Sequence, residues 1–356
     1  MRSAALAVVA RRITVTAAAV LALLCLGAGA AVADPAVPTN YRSTVSEVAT
    51  ADGDPVELDV EVLGGDAFLV VHVPEGTEVM VPGYDGEPYI RIAADGTVEV
   101  NQRSPARWLN DARYGSAEVE VPPQADADAP PAWEPAARSG TYAWHDHRIH
   151  FMSPALPSQI DPDLREVQRV WEWEVPVTVD GQDVVIAGEL DWVPGPQPVG
   201  TVALVVAAFA AALALVRIVG SGTLVVTAGV LALGLGVAVN WDVPPGADGH
   251  PSLWVLAGGS LTLWAVARFH PTLSEPRRSM LLALAALPAT VAALLVVGAL
   301  VRPIVPGVLP AVAVRGLVAV ILAAAVASLF PLAGQLWRTT SLDGSGDPAA
   351  PRTTDA

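Results

Sequence analysis

The chain has 356 residues, 53% of them hydrophobic, and its 36 acidic residues against 20 basic ones give a formal net charge of −16. The apolar content excludes a single soluble domain and the acidity excludes a plain membrane bundle, so the chain is a composite. Residues 34–199 carry 30 acids against 9 arginines while the rest carries 6 against 11, and so acidic a surface repels nucleic acid, which removes that class of partner.

The N-terminus reads as a secretory signal peptide over residues 1–33. Arg2, Arg11 and Arg12 precede the apolar run 13–26, and Ala31-Val32-Ala33 offers a small-residue cleavage site. That run is shorter than the roughly 20 residues a spanning helix needs. The single cysteine, Cys25, lies inside it, so the mature chain is expected to have none. Disulfides, thiolate catalysis and thiolate-held metals are then excluded, and a metal site has to use His, Met, Asp or Glu.

Residues 34–197 are expected to form an extracytoplasmic all-β domain. Val56, Leu58, Val60 and Val62 alternate with acids, as in a half-buried strand, and 67–73 is a continuous apolar run suited to a buried one. Short strands follow over 78–81 and 89–92, and Asp95-Gly96 turns the chain into 97–101. The stretch from Asn101 to Gly140, with Pro122-Pro123, reads as a long surface excursion. Near the end, Trp171, Trp173, Val175, Val177 and Val179 share one face of a strand. Asp180-Gly181 turns the chain and 184–193 returns, with Glu172, Glu174, Glu189 and Asp191 on a solvated face. Strand spacing without long amphipathic helices points to an antiparallel sandwich.

Within this domain residues 141–152 read TYAWHDHRIHFM, gathering His145, His147, His150 and Met152 in a chain with six histidines and four methionines. On a strand His145 and His147 point to one face, about 7 Å apart. If the chain turns after Arg148, His150 and Met152 add an imidazole and a thioether. Imidazole suits copper or zinc and thioether favours Cu(I), which makes copper the expected ion. Two other readings stay open. The cluster can be a packed polar one, with Asp146 and Arg148 as an ion pair, or a catalytic His/Asp site, although no paired nucleophile is visible. His72, interrupting an apolar strand, reads as a satisfied core histidine, and Met80 as exposed. The aromatic loop Gly83 to Tyr89 and the segment Asn101 to Asn110 suit either tight turns with aromatic plugs or a recognition surface.

The Gly140-x-Tyr142 strand leading into a ligand-bearing loop resembles the cupredoxin group, whose loop carries Cys, His and Met ligands to copper. The ligand cysteine is absent here, with His145 or His147 near its place. The resemblance therefore implies a copper-holding domain of cupredoxin-like or immunoglobulin-like fold without a blue electron-transfer centre. The whole arrangement also resembles uncharacterised membrane proteins of GC-rich actinobacteria.

From residue 198 to 333 five spanning helices are expected, at about 199–216, 223–239, 252–266, 280–300 and 309–332, near the roughly 17–25 residues required. With the β domain outside, Arg217, Arg268, Arg277, Arg278 and Arg338 fall on the cytoplasmic side, in line with the positive-inside rule. Residues 334–356 are expected to be a disordered cytoplasmic tail. The predicted spans hold no Asp, Glu, His or Cys, which argues against a transporter; Arg315 is the exception and needs a partner. Gly229, Gly234 and Gly236 would allow close helix packing. The resulting expectation is a multi-pass cell-membrane protein, non-catalytic, that holds or transfers copper outside the membrane and meets a copper-handling or envelope protein. The alternative is a structural or sensory protein whose β domain binds such a partner without metal.

Overall fold

The structure, a computed structural model, describes residues 35–114, 119–241 and 243–343, with side chains through 333. The expected signal peptide with Cys25, and the tail beyond Asp343, lie outside the described residues. The chain divides into two compact units. One comprises the N-terminal region through Pro194 together with 239–255 and 303–308; the other comprises 195–238, 256–302 and the segment from Leu309 onward.

The first unit is built on ten strands in two antiparallel sheets. These are β1 Tyr41–Thr50, β2 Asp59–Leu63, β3 Phe68–His72, β4 Val79–Pro82, β5 Pro88–Ile92, β6 Val98–Asn101, β7 Trp133–Ala137, β8 Thr141–Trp144, β9 Gln168–Val179 and β10 Gln182–Trp192, with a short helix α1 Pro105–Leu109 after β6. The larger sheet is open, in the order β1-β10-β9-β4-β5-β6-β7, and the smaller runs β2-β3-β8. One hydrophobic cluster draws on both, with Leu69 and Val71 from β3 joining Val81, Ile90, Val175, Ile186 and Leu190 from the larger sheet.

The β9–β10 hairpin forms where the alternation placed it. Val179 pairs with Gln182 around Asp180 and Gly181, both at positive φ (49° and 79°), the backbone that a tight two-residue hairpin turn requires and that Asp-Gly supplies cheaply. Trp173, Val175 and Val177 face the core while Glu172 and Glu174 face out. Asp191 departs from its expected solvation. It is buried at the β1 edge, where Arg169 donates to its Oδ1 at 2.8 Å and Arg42 to its Oδ2 at 3.3 Å.

Three further features differ from the sequence reading. β1, whose residues alternate only weakly, becomes a strand by pairing along the length of β10. The expected surface excursion contains α1 and β7; β7 accommodates Pro135 as the edge strand of its sheet, where a missing N–H costs least. His72 is not a core histidine. It closes β3 with its side chain 37% exposed, its Nδ1 3.0 Å from the Thr141 hydroxyl and its Nε2 3.4 Å from Glu61.

The same unit includes the segment between the second and third long helices. The Ala143 amide of β8 donates to the Pro245 carbonyl at 2.8 Å, so this segment satisfies part of the free edge of the smaller sheet. Gly246, at φ 89°, lies so close that a Cβ there would stand 2.1 Å from the Ala143 carbonyl oxygen and 2.7 Å from the Tyr142 ring, which leaves room for glycine alone.

The second unit contains five helices long and apolar enough to cross a membrane: α2 Pro198–Val219, α3 Ser221–Asn240, α4 Pro251–Phe269, α5 Glu275–Leu295 and α6, apolar over Ala311–Ala333 and continuing to Asp343. The last helix thus runs into the segment expected to be tail. Of the glycines expected to allow close packing, Gly229 lies where a Cβ would meet the Leu261 side chain at 2.9 Å, whereas Gly234 has open space beside it. Alanines 285, 286, 289, 292 and 293 are buried along α5, and Ser260 donates to the Ala285 carbonyl at 2.7 Å. Arg315 finds its partners in backbone: it donates to the carbonyls of Ala299 (3.0 Å) and Arg302 (2.9 Å).

Candidate functional site

β8 ends at Trp144, so His145 and His147 lie in the loop after the strand and the strand alternation does not apply to them. Asp146 shapes that loop. Its Oδ1 accepts from the Arg148 amide at 3.0 Å, an Asx-type turn that reverses the chain, and the Ile149 amide returns to the Asp146 carbonyl at 3.1 Å. The Asp146 carboxylate is fully buried and held by the Arg148 guanidinium (2.7 and 2.6 Å) and the Trp144 indole N–H (2.9 Å). Asp146 is therefore the ion-pair anchor of the turn.

The turn carries three imidazoles into one region. His145 is 3% exposed with its ring 4.3 Å from Phe68, and His150 is 0% exposed. The His150 ring stands edge-on to both others, its centre 5.2 Å from that of His147 and 6.4 Å from that of His145. Two imidazoles bound to one ion at ~2 Å hold their ring centres roughly 5–6.5 Å apart, so the spacing suits a shared ligand. Among the described residues, however, no group of three or more His, Cys, Asp or Glu side chains is placed to hold a metal ion. Met152 is 38% exposed at the surface, whereas His145 and His150 are inside.

His147 is fixed from two sides. Its Nε2 donates to the Ala112 carbonyl at 3.1 Å, which leaves Nδ1 as the acceptor nitrogen, and its ring stacks on Tyr84 with centres 5.5 Å apart. The Tyr84 hydroxyl accepts from the His147 amide (2.9 Å) and donates to Asn110 Oδ1 (2.5 Å), while Arg148 lies over the Tyr84 ring. Burial raises the Tyr84 phenol well above its ordinary range.

His150 differs from its neighbours. Among the described residues neither of its ring nitrogens has a hydrogen-bond partner; the Phe151 backbone lies near the ring without reaching hydrogen-bond geometry. Burial, then Arg113 and the other two histidines, push its pKa down to about 2. Burial lowers His147 as well. Arg113 is itself neutralised by Asp66, donating to Oδ1 at 3.2 Å. His147 and His150 are thus held toward the neutral imidazole, the protonation state that metal binding needs.

The sequence reading missed Phe68, Ala112 and Arg113, which reach the cluster from β3 and the segment after α1. Tyr84 lay in the aromatic loop already noted. That loop is a turn with an aromatic plug: buried Glu87 accepts from the Ser104 hydroxyl and from the Asp85 amide at 3.1 Å, tying the turn to the start of α1.

Beside the cluster is a cavity of about 280 Å³, lined by Tyr89, Arg107, Asn110, Asp111, Glu134, Tyr142, Trp144, His145 and Asp248 among others. A second, more apolar cavity of about 220 Å³ lies between the β2–β3 turn and the segments 243–250 and 305–308, and Asp248 lines it too. Comparison of the chain with known proteins found no matching family model, no matching curated protein and no matching solved structure.

Proposed function

We propose that this is a multi-pass membrane protein whose cupredoxin-like β-sandwich lies outside the cell membrane and holds a late first-row transition-metal ion, copper above all, without catalysing a reaction. The observation that carries the reading is His150. An imidazole with both nitrogens buried and unpartnered costs folding free energy unless a ligand completes it, and two more imidazoles, those of His145 and His147, stand beside its ring. The Nε2 bond of His147 to a backbone carbonyl is the support a ligating histidine receives. Coordination requires the rings to turn so that their nitrogens converge. His145, His147 and His150 form the inner set, and the thioether of Met152 adds a softer ligand if its surface segment folds in. Five arginines on one side of the spans (Arg217, Arg268, Arg277, Arg278 and Arg338), against Arg302 and Arg315 toward the other, support an exterior β domain and a cytoplasmic C-terminus.

A second reading, a polar cluster that braces the domain for a protein or envelope partner, draws on the Asp146–Arg148 pair and the Tyr84–His147 stack, which hold the loop without metal. The two separate on titration of the full-length protein in detergent with Cu(II), and with Cu(I) under reductant. The metal reading expects a saturable one-to-one site lost in His145→Ala/His150→Ala. Equal, weak binding by wild type and double variant would leave the bracing role as the answer.

A further inference from the structure

One end of the helical unit carries a separate inference that does not depend on metal in the histidine cluster. Arg217 lies in the last turn of α2 and Arg268 in the last turn of α4, while Arg277 and Arg278 open α5. The α2–α3 and α4–α5 turns share this end, since a Cβ at Gly222 would stand 3.8 Å from the Leu282 side chain. Residues 217–223 and 266–282 thus set four arginines, Arg217, Arg268, Arg277 and Arg278, against one acid, Glu275.

The arginines of the α4–α5 turn divide by task. Arg278 closes the turn: its Nη1 donates to the carbonyls of Ala267 and Arg268 at 2.7 and 3.2 Å, and its Nε lies 3.6 Å from Glu275. The last carbonyls of α4 are capped in this way, and the two limbs of the turn are held together. Arg268 and Arg277, one on each limb, are exposed, and neither enters an ion pair among the described residues. The Arg268 guanidinium lies over the Phe269 ring at 5.6 Å; Phe269 is 68% exposed and meets Trp264 edge-on at 5.8 Å. A phenyl ring so exposed is unfavourable in water and favourable where headgroups meet acyl chains.

Charge and ring together select the occupant. Guanidinium groups beside an apolar ring suit a ligand that is anionic at one end and apolar at the other, and the non-bridging oxygens of a phosphate accept from guanidinium in pairs. A free anion would use the charge and leave the ring in water. A zwitterionic headgroup would bring its own cation against the arginines, whereas an acidic lipid brings none.

We infer that the α4–α5 turn binds the headgroup of an anionic phospholipid, with Arg268 and Arg277 on the phosphate and Phe269 against the acyl chains. Native mass spectrometry of the full-length protein in a mild detergent, with dioleoyl phosphatidylglycerol and dioleoyl phosphatidylcholine at equal concentration, reads the preference. The phosphatidylglycerol adduct is expected to exceed the other by about tenfold, and R268Q/R277Q to bring the two to within about twofold of parity. R268K/R277K retains the charge and is expected to keep most of the preference. R103Q/R138Q, which removes the same charge from the β-rich unit, is expected to keep all of it. Equal adducts in the wild type, an unchanged preference in R268Q/R277Q, or an equal loss in R103Q/R138Q would each overturn the assignment. So would displacement of phosphatidylglycerol by inorganic phosphate at the same concentration, the mark of a site for a free anion.

Discussion

His150 shows how one side chain can couple stability to pH. In the unfolded chain its imidazole titrates near 6.5, whereas in the folded domain burial and Arg113 hold it neutral down to about 2. Above pH 6.5 both states are neutral and nothing is lost. As the pH falls below 6.5 the unfolded state takes up a proton that the folded state refuses, which removes about 2 kcal/mol of stability by pH 5. His147, shifted the same way, adds to the slope. The thermal midpoint of the metal-free protein is therefore expected to drop by several degrees between pH 7 and pH 5, and a His150→Leu variant to show a visibly flatter profile. Identical slopes for the two would mean that His150 is solvated and protonatable. The sequence placed three histidines within six positions, and that part of the site was legible. The Phe68 contact, the Ala112 carbonyl and the Arg113 charge were not, because they arrive from positions 32 or more residues away with no local pattern to announce them.

Elements were legible where a period and a turn signal agreed. β9 and β10 carry both, an alternating apolar face and Asp180-Gly181 between them, and they formed as read. β1 carries neither and depends on its partner, so tertiary pairing decided it. β8 shows the limit from the other side. Its strand was recognised, but the side chain of Asp146 ends the extended run and turns the next residues inward. β10 also contains a glycine whose role is steric. A Cβ at Gly188 would stand 2.1 Å from the Trp173 ring and 2.4 Å from the Thr44 carbonyl oxygen, with partner strands on both sides. Gly188→Ala is expected to cost about 1–3 kcal/mol through displacement of Trp173, read as a lowered denaturation midpoint and an altered Trp fluorescence spectrum. An unchanged midpoint would show that the indole can move at no cost.

At the scale of the molecule, the boundary near residue 197 describes the change in composition but not the compact unit. The β-rich unit recruits 239–255 and 303–308, with His250 Nε2 donating to the Ala36 carbonyl at 2.9 Å and Thr39 exchanging backbone hydrogen bonds with Ile304 at 3.0 and 3.2 Å. Hydropathy located the five helices because each is a long apolar run. It was blind to the short polar segments between them, which look like ordinary loops until the sheet edge they serve is known. A fragment of residues 35–197 would present β8 with its edge amide unpaired, and is expected to self-associate and to melt below the β domain of the intact chain. Size-exclusion chromatography and thermal melts of the two compare them directly, and a monomeric fragment of equal stability would show those segments to be dispensable. The sharing of one unit among three stretches of chain also sets the order of biogenesis. The first 194 residues are synthesised early, yet their hydrogen bonds to 239–255 and 303–308 can form only once the ribosome has passed residue 308 and four of the long helices.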